Sequence, residues 1–277
     1  MNFATATDSY NVAVGDQAGK RVTTGIYNTL VGGGAGDALT DADNNVAIGF
    51  AALSSDTLGS GSIAIGKDAL FDQNFTTATT AYNVAIGQSA GANVTTGFRN
   101  EFIGGLAGLS NTTGDNNVAI GLSSLEGNTV GNKSIAIGSN ALGLQNPATA
   151  TDMYNVAIGY NCGDSVTTGK SNTLVGAEVA GALNAGENNV AVGYHALKTA
   201  TGDTETVAVG VQALETQNKN GTASNTAVGF RAGRDNTTGS SNTFIGAEAG
   251  LTITNTTGQT AVGRGALAAQ AQSDNTA

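Results

Sequence analysis

An enzyme built on this chain would have one imidazole, His195, and one thiol, Cys162, to work with. A lone histidine cannot supply a multi-histidine metal site, and beside Tyr194 it reads as a solvated turn residue. Cys162 stands where other units of the chain carry Ala18, Ala90, Ala141 or Ala232, so it reads as a buried stand-in for alanine. One cysteine also allows no internal disulfide. The stretch GDQAGK, Gly15 to Lys20, is one residue short of a phosphate-binding loop and has Arg21 where a hydroxyl would reach magnesium. The cluster Gly32, Gly33, Gly34 and Gly36 lacks the spacing and the flanking strand and helix of a dinucleotide fingerprint. Asp41 and Asp43 share a turn, without the glycine-rich nonapeptide that binds calcium in other β-rolls. No catalytic, cofactor-binding or metal-ligating residue is therefore assigned, no cofactor is expected, and the chain does not read as an enzyme.

The charge balance narrows the partners. A net charge of −10 and a sequence pI near 4.3 disfavour nucleic acid and anionic membrane surfaces, both of which draw on clustered Lys and Arg. No segment holds the roughly 20 apolar residues that span a bilayer, so no membrane insertion is expected. MNFATATDSY has no basic start followed by an apolar run and does not read as a secretory leader.

What the chain does have is a period. The branched residue before a glycine falls at Val14, Val31, Ile48, Ile65, Ile86, Ile103, Ile120, Ile137, Ile158, Val175, Val192, Val209, Val228, Ile245 and Val262. The spacing is 17 residues, stretched to 21, 21 and 19 after every fourth unit. Fifteen units result, in blocks 11–82, 83–154, 155–224 and 225–267, between a lead-in at 1–10 and a tail at 268–277. Glycine is 41 of 277 residues and aromatics are 5%, a composition suited to short strands joined by tight turns rather than to a bulky globular core. Apolar residues alternate locally and no helical periodicity appears. The expected fold is all-β: a parallel β-solenoid of about fifteen 17-residue coils.

Column by column, the glycine after the anchor is present in every unit, so a side chain there should meet a turn or a neighbouring backbone. The asparagines at Asn11, Asn28, Asn45, Asn83, Asn100 and onward are expected to bond along the stack and to take the left-handed turn conformation. Leu53 and Leu70 read as core fillers. Val12, Val46 and Ile63 share a strand face with the anchors, and that face is expected to line the coil interior. The intervening alanines would then form a small apolar outer face, covered from outside. On this reading Leu30, Phe102, Leu174 and Phe244, which replace the alanine once per block, are spaced knobs in a contact between chains, the trimer contacts of the assembly that the resemblance below implies, or else mark a local repacking within one coil. The block-end stretches LFDQNFTTATTAY, LGLQNPATATDMY and ETQNKNGTAS exceed what the repeat needs and are expected either to protrude, with Phe71, Phe75, Tyr82 and Tyr154 as receptor-binding aromatics, or to pad a corner of the coil or cover a seam between chains.

NVAIGxxA resembles the SVAIGxxA repeats of the YadA-like head domains of trimeric autotransporter adhesins, and Asn83 to Gly108 is similar to repeat regions of bacteriophage tail fibres. The resemblance runs from about Asn11 to Ala266. It implies a left-handed parallel β-roll assembled as a homotrimer, serving as a structural and receptor-binding fibre segment in a virion or at a cell surface, with a cell-surface glycan or other host receptor as partner. The unit here is longer than that of the adhesin head, and no counterpart of the adhesins' stalk and membrane anchor is expected among these residues. Two other classes use similar phrases: an ice-binding β-solenoid, for which Thr23 and Thr24, Thr95 and Thr96, Thr167 and Thr168 recur too sparsely, and a hexapeptide-type acyltransferase, whose histidine would have to be His195.

Overall fold

Each NVAIG-type phrase becomes a strand of three residues, centred on the residue before the anchor, and successive strands pair in parallel. The computed structural model describes residues 8–268, so most of the lead-in at 1–10 and of the tail at 268–277 lies outside the described residues. No helix occurs among them. The chain divides into two units, Met1–Lys133 with Asn146–Thr151, and Ser134–Gln145 with Asp152–Ala277. In the first unit the ladder runs Val12–Val14, Thr29–Val31, Val46–Ile48, Ile63–Ile65, Val84–Ile86, Glu101–Ile103 and Val118–Ile120. In the second it runs Ile135–Ile137, Val156–Ile158, Thr173–Val175, Val190–Val192, Val207–Val209, Thr226–Val228, Thr243–Ile245 and Thr260–Val262. The fold is thus a parallel β-solenoid of fifteen coils. Extra residues at block ends leave the register intact: Ile63 pairs Val84 and Ile135 pairs Val156 across the 21-residue steps.

The interior is the reverse of the face expected from the sequence. The middle residue of the strand points inward: Ala47, Ala64, Ala85, Ala119, Ala157 and Ala208 are completely buried. The flanking Val and Ile point outward, and Ile48, Ile86, Ile158 and Ile245 are exposed. The inner face also carries the asparagine two residues earlier in the chain and the invariant glycine two residues later than the alanine. All three need close neighbours in the next coil, which only a narrow interior supplies.

Leu30, Phe102, Leu174 and Phe244 lie on this inner face, buried to 1% or less, and present no surface to a partner chain. Their reading as trimer contacts is overturned, for a volumetric reason. A Cβ added to Gly91 or Gly108 would fall 2.7 or 2.5 Å from the Phe102 ring, and one added to Gly233 or Gly250 would meet Phe244 at 2.5 or 2.4 Å. Gly36 and Gly163 make the same room for Leu30 and Leu174. Where the strand centre is alanine, the column of these glycines mostly carries a buried leucine instead, as at Leu53, Leu70, Leu125 and Leu197. The four-coil block is an internal jigsaw of bulk exchanged between two columns.

The asparagine column is buried from Asn28 onward, and it bonds backbone more than it bonds itself. Asn172 Nδ2 donates to the Gly186 carbonyl at 2.9 Å, and its Oδ1 accepts the Asn189 N–H at 3.0 Å. Asn28 does the same with Ala42 O and Asn45 N–H, at 2.7 and 3.0 Å. The left-handed conformation falls on the residue before each asparagine, including Tyr27, Tyr82, Arg99 and Ser171 (φ 51–60°). Asn172→Ala would strip a buried N–H and a buried carbonyl of their partners, and a loss of about 2 kcal/mol is expected. Urea unfolding of the full chain checks it; an unchanged midpoint would mean that the ladder is redundant.

Candidate functional site

Outward residues alternate along each strand and its flanks, so a coil shows solvent a strip of four. In one coil of the second unit the strip reads Tyr154, Val156, Ile158 and Tyr160; in another it reads Asn188, Val190, Val192 and Tyr194. In the first unit it reads Asn44, Val46, Ile48 and Phe50. Phe50, Leu122, Tyr160, Tyr194 and Phe230 are all exposed, as are Val14, Val190 and Val262. Tyr10 and Tyr27 stack in parallel with centroids 5.4 Å apart. Each unit therefore carries a sheet face of branched residues edged by aromatics.

The four proposed receptor aromatics are not brought together. Tyr82 and Tyr154 are 60% and 54% exposed, but they belong to the sheet strip of their own coils, not to the loop tips. Phe71 is 38% exposed and lines a shallow groove with Asp68, Ser89 and Leu109. Phe75 is 5% exposed and turns inward, which removes it from any receptor surface. What the loops expose beyond the coil is Thr76, Thr77 and Ala78 in one block and Ala148, Thr149 and Ala150 in the next.

Sequence reasoning passed over the glutamine inside these loops. Gln73, Gln145 and Gln217 are buried, and each accepts from the asparagine that opens the next block: Asn83 at 2.8 Å, Asn155 at 2.9 Å and Asn225 at 2.8 Å. Gln73 Nε2 also donates to Asp56 Oδ2 at 2.6 Å and to Ser62 Oγ at 3.1 Å. Burial pushes the Asp56 carboxyl above the usual carboxylate range, opposed by hydrogen bonds from Gln73, Phe75 N–H and Gly59 N–H. The recurring phrase Leu-x-x-Gln-Asn at Leu70, Leu142 and Leu214 was the available signal. These glutamines anchor the loop roots to the coil.

The two chemistry-bearing singletons are held quiet. Cys162 is buried in the alanine column, with Sγ 3.3 Å from the Leu174 carbonyl, and burial pushes its thiol up to about 12. The thiolate needed for nucleophilic attack is then scarce at neutral pH. Native protein is expected to leave Cys162 unmodified by a chromogenic disulfide reagent, with full reaction in denaturant; fast labelling of the native chain would show that the coil opens there.

His195 is not the solvated turn residue expected from the sequence. It takes a left-handed φ of 58° and stacks on Tyr194 at 3.7 Å. Its Nε2 lies 2.8 Å from Glu178 Oε2 and its Nδ1 lies 3.1 Å from Glu215 Oε1, with Lys198 Nζ 3.3 Å from the same Glu178 oxygen. Hydrogen bonds from His195 and then Lys198 hold the Glu178 carboxyl below its usual range. Among the described residues no group of three His, Cys, Asp or Glu side chains is arranged to hold a metal ion, and no helix is long and apolar enough to cross a membrane.

No protein-family profile matches the chain, and a search of curated proteins returns no relative.

Proposed function

We propose that the chain is a structural and receptor-binding fibre segment, of the kind found in bacteriophage tail fibres and adhesin heads. In this reading the coil is left-handed and three copies pack through the outward Val and Ile columns. The observation that carries it is the partial exposure of those columns, 37% at Ile48, 38% at Ile158 and 41% at Ile245 with their neighbours in the columns mostly half-buried. Extended apolar surface of this sort marks an interaction site. Copies of the same chain bring the same coil spacing to the contact, which a partner of different architecture would lack. The function is display: the polar loop tips and grooves are presented in several copies to a host surface, where multivalency raises avidity without new contacts. The protein acts in the virion or at the cell exterior.

Sedimentation velocity on the full chain tests the assembly. A species of three times the 27.3 kDa chain mass is expected, and Ile86→Glu should dissociate it while leaving the unfolding transition in place. A monomer across the accessible concentration range would set the fibre reading aside.

A further inference from the structure

Most glycines here have a backbone reason to be glycine, and Gly181 has none. It does not take a positive φ, and a Cβ added to it would have nothing nearer than Asp164 Oδ1 at 3.7 Å and Glu178 O at 3.9 Å, an ordinary contact distance. Folding would accept a side chain. Its equivalents one coil before and one coil after are Asp164 and Lys198. Around it lies a groove of about 350 Å³ within the second unit, lined also by Asn161, Glu178, Ala182 and Thr199, in which Gly181 is the one lining position without a side chain. That volume is in the range of ligand clefts.

We infer that this groove is a saccharide-binding site for neutral or amino sugars. The inference rests on the receptor-binding reading above and gives it a location that is neither the loop tips nor the sheet face. Sugar hydroxyls both donate and accept, and the groove offers acceptors (the Asp164 and Glu178 carboxylates and the Thr199 hydroxyl), a cation donor (Lys198) and one group that does both (Asn161). The floor at Gly181 and Ala182 is small and apolar, suited to the C–H face of a pyranose. Two carboxylates against one ammonium leave the lining net negative, which disfavours sialylated, uronic or phosphorylated ligands. The lining is also pre-ordered. Glu178 is fixed by His195 and Lys198 at 2.8 and 3.3 Å, Asn161 Oδ1 accepts from Asn140 at 3.1 Å, and Thr199 Oγ1 donates to the Glu215 carbonyl at 3.1 Å. Such prior ordering lowers the entropy lost on binding. Burial raises the Asp164 carboxyl, in keeping with a partly desolvated wall.

The test is a saccharide panel of neutral hexosides, hexosaminides and sialylated oligosaccharides, read by saturation-transfer NMR against the full chain and three variants. Gly181→Gln fills the groove and should keep the wild-type unfolding temperature while binding roughly tenfold or more weakly, the scale of one lost polar contact. Thr199→Gln, at an exposed residue of the same lining, is the second blocking variant if the first perturbs folding. Ala148→Gln, on a loop tip, should bind as wild type. Binding confined to sialylated ligands, binding that survives both groove variants, loss through Ala148→Gln alone, or no binding across the panel would each overturn the assignment. A sedimenting trimer that binds no saccharide overturns this inference and leaves the fibre reading standing.

Discussion

Phe102→Ala is expected to destabilise the chain by about 3–5 kcal/mol. The side chain is buried to 1%, at the strand centre where most coils carry alanine. Its ring occupies space that Gly91 and Gly108 leave open, so truncation leaves a cavity. The jigsaw reading makes a sharper demand. Adding Gly108→Leu to Phe102→Ala should return part of the lost stability, because it recreates the alanine-and-leucine pairing of other coils. Leucine is compatible with the backbone there: Gly108 has φ 59°, and Leu53 and Leu125 occupy the same column at 53° and 48°. Gly108→Leu alone should be severely destabilising, since its Cβ would fall 2.5 Å from the Phe102 ring. Urea unfolding of the three variants decides the matter. Additive losses in the double variant would mean that the two columns do not share one space.

That exchange of bulk explains why the repeat was legible and its orientation was not. The 17-residue period, the grouping in fours and the parallel register follow from phrases that any reader of Val14, Val31 and Ile48 can count. Alternation along a strand also divides its side chains into two faces, but it does not say which face is inside. Size suggested that Val and Ile line the core and Ala faces out; the interior of a 17-residue coil is too narrow for that. The better signal was parity. Asn45, Ala47 and Gly49 share one face, and both the stacked asparagine and the glycine demand near neighbours. Phe102 and Phe244, assigned to the outer surface, followed the same error. Phe75 was hidden differently: its burial depends on the Asp56 and Gln73 corner, which joins residues a coil apart.

The candidate site was less legible still. Left-handed backbone at Tyr82, Arg99, Glu178 and His195 is imposed by the coil on residues that do not favour it, so no propensity announces it. Glu178, His195 and Glu215 converge only because they come from three successive coils. Gly181 is indistinguishable in sequence from glycines that the backbone requires. Only its ordinary φ and open surroundings set it apart.

The neighbouring pair Gly104 and Gly105 puts this distinction to its strongest test. Gly104→Ala is expected to cost about 3 kcal/mol or more, from two sources that add. Its φ of 138° lies where L side chains are rarely found, and a Cβ would sit 2.5 Å from the Gly121 carbonyl oxygen of the next coil. That oxygen is backbone, fixed by the ladder, so relief requires the two coils to part and lengthens hydrogen bonds such as Gly121 N–H to Ile103 O, now 2.8 Å. Gly105→Ala, one residue on, meets only Leu122 Cδ1 at 3.5 Å and has no positive φ. It should stay within about 0.5 kcal/mol of wild type. Thermal unfolding of both variants, side by side, separates the alternatives. Equal losses would mean that the turn needs flexibility at both positions; two silent changes would mean that the coils can part locally at little cost, and that the glycine column reflects something other than the close approach of stacked backbones.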